Sequence, residues 1–141
     1  MGCDIHLHTE VKIADKWEHY GNPIIGRDYE FFAFLAGVRN YYEIIPVSEP
    51  KGVPDDMSLI TRLDWEDWGS DAHSASFITG DEIGRVERFL RKLNSERSSS
   101  YYYPEMEWGY LFDGSWSVFY EFPDSQDKRI QDVRMVFWFD N

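Results

Sequence analysis

The stretch "CDIHLHTEVKI", residues 3–13, decides how this chain folds. Read as an extended strand, its side chains alternate between two faces. Asp4, His6, His8 and Glu10 fall on one side, and Cys3, Ile5, Leu7 and Thr9 on the other. The first set holds four side chains able to bind a metal or move a proton. The second set wants a core.

Working outward, "KWEHYG" at 16–21 is predicted to return antiparallel through the short "ADK" link, with Trp17 and His19 on one face and Glu18 and Tyr20 on the other. "RDYEFFAFLAGVRN" has apolar residues at Phe31, Phe34, Leu35 and Val38, a helical spacing, with Asp28 as N-cap. Pro46, Pro50 and Pro54 mark residues 40–57 as a long ordered loop. Ser58 is placed to cap a short helix through "LITRLDWEDW". Residues 69–76 are expected to form a loop leading into a second helix. That helix starts with a capping box, Thr79 and Glu82, and carries the stripe Ile83, Val86, Leu90 and Leu93. "NSERSSS" ends it in a polar linker. A helix or turn near 106–113 and a strand at 115–121 are expected next. "QDVRMVFWFD", 131–140, is the strongest strand, with Val133, Met135, Phe137 and Phe139 on one face. The first and last strands are expected to pair. The sum is one α+β domain over residues 1–141, a small antiparallel sheet with two or three helices packed on one face.

Composition narrows the function. The chain has 141 residues, 26 acidic against 14 basic side chains, and a net charge of −12. That balance opposes binding to double-stranded nucleic acid or an anionic membrane, where phosphate contacts require Lys and Arg. An aromatic content of 18% opposes disorder. A single cysteine, no leader-like start and no long apolar run fit a cytoplasmic protein that does not enter a membrane.

His6 and His8 lie two apart, so in a strand both rings point the same way and can reach one ion. Imidazoles suit Zn, Mn or Fe as a divalent metal. "GSDAHS" sets Asp71 and His73 two apart in the same manner, and convergence of the two patches would assemble a ligand set of His6, His8, Asp71 and His73. Asp4 or Glu10 would then complete the shell or orient a histidine, so both are catalytic candidates. The metal would lower the pKa of a bound water. Arg39 and Lys51 are candidates for holding an anionic substrate. Cys3 has no adjacent activating cation, which argues against a catalytic thiolate.

"DIHLHT" resembles the Asp-x-His-x-His-Thr start of the PHP-type metal-dependent phosphoesterases, and "GSDAHS" is similar to a Gly-Ser-Asp-Ala-His segment of the same domains. The resemblance implies metal ligation by His6, His8, Asp71 and His73, and hydrolase-like chemistry on a phosphoester or nucleotide. Along its whole length the chain resembles a set of small bacterial and phage proteins that begin "MGCDIH" and share segments like "LAGVRN", "SEPKGVPDD" and "VFWFDN". That likeness implies a compact single domain and a phage context. It also frames the rival expectation: a non-catalytic binding protein that sequesters a small nucleotide signal or blocks a host protein through its acidic surface.

Overall fold

A computed structural model describes residues 2–23, 25–96 and 129–141. The expectations for 106–113 and 115–121 lie outside the described residues. Within them, four antiparallel strands form one sheet: β1 (Asp4–Ile13), β2 (Lys16–Gly21), β3 (His73–Thr79) and β4 (Ile130–Asp140), in the order β2-β1-β4-β3. Three helices accompany it, α1 (Tyr29–Ala36), α2 (Leu59–Trp68) and α3 (Gly80–Glu96).

The alternation in β1 does what the sequence demands. β1 and β4 pair along their whole length, Ile5 opposite Phe139 and Leu7 opposite Phe137. These side chains join Val11, Val133, Met135 and Ile78 in a dry layer. α1 contributes Phe31, Phe32 and Leu35 to that layer, and α3 contributes Ile83, Val86 and Leu90. Phe34 stacks on Phe89 where the two helices meet, with ring centroids 4.1 Å apart. So α1 and α3 share one face of the sheet. The third helix, α2, lies on the other face, where Trp65 and Trp68 pack against Trp138.

Local signals set the ends of these elements. Ala14 and Asp15 both have positive φ (51° and 63°), the left-handed pair that matches the twist of a two-residue hairpin between β1 and β2. Asp28 caps α1 by accepting from the Phe31 amide at 3.2 Å, and Gly37 closes the helix at φ 72°. The Thr79 amide donates to Glu82 at 3.2 Å, one half of the capping box that opens α3.

Two local expectations are corrected. Residues 73–79 are a strand, although "HSASFIT" begins with small polar residues of weak strand preference. Pairing with the strongly apolar β4 decides the matter, a tertiary effect that overrides propensity. A register shift between His73 and Ser76, with Ser74 at φ 53°, accommodates the irregular start. Ser58 stands at the N-cap of α2 but makes no side-chain cap bond; its hydroxyl reaches across to the sheet instead.

Candidate functional site

The face of the sheet under α2 is where the ionisable groups collect. His6 lies opposite Trp138, His8 opposite Val136 and Glu10 opposite Arg134 on β4, while His19 of β2 lies opposite Glu10 on the other side. Between the pairs Thr9–Gly21 and Glu10–His19, β2 carries one extra residue, Tyr20. Such a bulge re-aims neighbouring side chains, and His19 sits directly beside it.

His8 is the centre of this face. It is 2% exposed. Its Nε2 lies 2.7 Å from Asp64 Oδ2 of α2, and its Nδ1 lies 3.0 Å from His19 Nε2. A carboxylate accepts only, so the His8 Nε2–H donates to Asp64. In the tautomer that carries its proton on Nε2, His8 Nδ1 accepts and the His19 Nε2–H donates to it. That leaves the His19 Nδ1 lone pair as the basic end of a chain running Asp64–His8–His19. The ring centroids of the two histidines are 5.2 Å apart. For nitrogens 3.0 Å apart, that separation puts both nitrogens nearly on the line joining the rings, the arrangement of an N–H···N bond. Two rings converging on one ion would bring their centroids closer for the same nitrogen separation. Burial, with the neighbouring His8 adding to it, holds His19 below the ordinary imidazole range, against the opposing pull of Glu10. His19 is therefore a neutral base at neutral pH.

Glu10 has a different job. It is fully buried, and each carboxylate oxygen is engaged. Oε1 accepts from Arg134 Nε at 2.7 Å; Oε2 accepts from the Ser58 amide at 2.8 Å and from the Ser58 hydroxyl at 2.5 Å. Burial opposes its ionisation, but Ser58 and Arg134 together hold its carboxyl below the usual glutamate range. Arg134 in turn donates to Asp56 at 2.9 Å and lies over the Trp17 ring at 3.9 Å. This network ties the first residue before α2 to the centre of the sheet. It anchors the helix that carries Asp64.

The remaining sequence candidates are dispersed. His6 Nε2 donates to Asp140 Oδ1 at 3.1 Å, and its ring lies 4.1 Å from that of Trp68, so it is turned away from the Asp64–His8–His19 chain. Asp4 is half exposed and pairs with Arg27 at 2.7 Å. Asp71 is exposed in a single 3-10 turn, Gly69–Asp71. His73 sits opposite Phe139, stacks on that ring at 6.1 Å and bonds Asn141. Phe139 belongs to the dry layer, so His73 occupies the opposite face from His6 and His8, and it is two strand spacings away, about 10 Å. The expected convergence of His6, His8, Asp71 and His73 does not occur. Among the described residues no group of three or more His, Cys, Asp or Glu side chains is arranged to hold a metal ion. Arg39 lies over Tyr29 at the end of α1, and Lys51 pairs with Glu82 at 2.8 Å, both away from His8. Burial pushes the Cys3 thiol up, which suits a core residue and not a nucleophile.

Two residues that matter here, His19 and Asp64, are absent from the sequence candidates. His19 was within reach: its face on β2 and the hairpin register put it beside Glu10. Asp64 carries no local signal, because its role depends on α2 crossing this face. On this face one buried donor is also left over. The Trp138 indole Nε1 is fully buried without a hydrogen-bond partner among the described residues, and its ring lies 5.3 Å from His8 and 5.2 Å from Trp65.

No protein-family model, curated protein or solved structure matches the chain. Among the described residues no helix is long and apolar enough to cross a membrane.

Proposed function

We propose that this protein is a hydrolase-like domain in which His19 acts as general base, with His8 and Asp64 as positioning residues, on a phosphoester or nucleotide. The observation that carries the reading is the Asp64–His8–His19 chain, at 2.7 and 3.0 Å, on an otherwise ion-paired face. Its chemistry is simple. A proton taken from water by His19 Nδ1 is matched by release of the Nε2 proton to His8 Nδ1. The positive charge then rests on His8 against the Asp64 carboxylate, where it is best stabilised. His19 is again a neutral ring, and the water has become a hydroxide-like nucleophile. Lys12, on the same face of β1 and 5.8 Å from the Trp17 ring, is a cation suited to an anionic group, in place of Arg39 and Lys51. His6 and His8 lie on one face of the sheet and His73 on the other, and the proposed step uses only the two ring nitrogens and Asp64.

The test is turnover of a panel of nitrophenyl phosphoesters and nucleotides by the full chain, with and without chelator. Turnover is expected to resist chelation and to fall by about 100-fold or more in His19→Gln. In Asp64→Asn the acidic limb of the pH profile, which reports the base, is expected to move. Absence of turnover across the panel, turnover that survives His19→Gln, or turnover abolished by chelator and restored by Mn or Zn would each overturn this reading.

A further inference from the structure

The outward side of α2 makes no use of the chemistry beneath it. Its inward side is tightly held: Thr61 is buried, Asp64 bonds His8, Trp65 and Trp68 pack on Trp138, and Ser58 is tied to Glu10. The outward side displays Leu59, Ile60 and Leu63, exposed by 68%, 55% and 56%. Leu59 and Leu63 are one turn apart and Ile60 is beside them, so the three form one continuous apolar patch. Solitary exposed aliphatic residues are ordinary, but three adjoining on the outward side of one helix are not.

The surroundings of the patch say what would cover it. Between residues 55 and 71 the chain has six carboxylates (Asp55, Asp56, Asp64, Glu66, Asp67 and Asp71) and one basic side chain, Arg62. Arg62 is turned back, donating to the Asp55 carbonyl at 2.9 Å. Asp55 is exposed ahead of the apolar patch, beside Asp56, which is also exposed but pairs with Arg134; Glu66, Asp67 and Asp71 are exposed beyond it. A second copy would bring like charges together on both rims, with −12 on each molecule. Nucleic acid and anionic lipid are repelled for the same reason. A partner with an apolar stripe flanked by Lys or Arg satisfies the patch and both rims at once.

We infer that the outward face of α2 is a docking surface for a basic amphipathic helix of a partner protein. The face is pre-formed, because the Glu10 and His8 contacts fix the helix on the sheet, so little ordering entropy is lost on binding. Leu59 and Leu63 are the anchors, and the acidic rims speed encounter and set orientation. This inference stands apart from the catalytic reading, since it uses the opposite side of the helix.

The experiment titrates the full chain with three labelled synthetic peptides: an amphipathic helix of Leu and Lys, its Leu and Glu counterpart, and a peptide with Lys but no Leu. The Leu–Lys helix is expected to bind saturably at one site, and Leu59→Ser combined with Leu63→Ser is expected to weaken it by about tenfold or more. Both residues are exposed, so the fold should survive, as circular dichroism can verify. Ile45→Ser, which alters another exposed apolar residue (85%), is the control and should leave binding unchanged. The inference is overturned if the double variant binds as well as the parent. It is equally overturned if the Lys-only peptide binds as tightly as the Leu–Lys helix, or if the parent dimerises through this face and the double variant does not.

Discussion

The two faces of one sheet are built from the same strands and obey different physics. On the α1/α3 face, Leu7, Phe137 and Met135 are fully buried, and the apolar side chains there need only fill volume. On the α2 face, the intervening residues of β1 and β4 bury His8, Glu10 and Arg134, which are stable there only because each has a partner in the right place. A packed apolar layer tolerates changes of detail. A buried ionic layer does not, and it is the one that can respond to pH and carry proton transfer.

Three substitutions probe that contrast. The largest effect is expected for Glu10→Ala, which leaves Arg134 and the Ser58 amide without their partner; breaking a buried pair in this way costs about 3–5 kcal/mol. The Glu10 contribution should also be lost in acid. Its folded pKa is depressed, so the stabilisation is complete above the unfolded value of about 4.3 and disappears as pH falls through the folded value. Urea midpoints of parent and variant should therefore converge at low pH and diverge toward neutrality. Next is Leu7→Ala on the dry face, with a cost of about 2–5 kcal/mol from lost burial and a cavity. That cost should be the same across the whole range, because Leu7 is buried in the apolar layer. If the Leu7 effect varied with pH as the Glu10 effect does, the division into two faces would fail.

The smallest effect is expected for His19→Gln. The folded pKa of His19 is lowered, so below about 6.5 the unfolded chain takes up the proton first. Its contribution to stability is thus present above that value and declines as pH falls toward the folded pKa. The variant should remove part of the slope of stability against pH in that window and barely change stability at pH well above it. An unchanged slope would mean that His19 is not held in the neutral form by its surroundings.

Much of this arrangement was legible in the chain itself. The alternation of residues 3–13 forecast both faces of β1, and the apolar set in 131–140 forecast its pairing with β4, because strand period and burial leave little choice. Asp28 and the stripe of α3 were equally plain, since caps and helical spacing are local properties. The site was less so. "DIHLHT" and "GSDAHS" invite one another as ligands, yet a strand presents alternate residues to opposite sides, and the bulge in β3 turns His73 toward Phe139. Its register lies in the pairing with β4, not in the motif. Glu10 appeared catalytic because a carboxylate on a polar strand face has no visible partner until Arg134 and Ser58, 124 and 48 residues away, arrive beside it. Asp64 completed the face for the same non-local reason, whereas His19 follows from the hairpin register.

The pairing of His8 with His19 can be read directly from the ring nitrogens by long-range proton–nitrogen correlation on labelled full-length protein at a pH of about 8. The account predicts that both rings carry their proton on Nε2, that His19 Nδ1 is bare, and that a through-hydrogen-bond coupling links His19 Nε2 to His8 Nδ1. A His19 ring protonated on Nδ1 with no such coupling would contradict it.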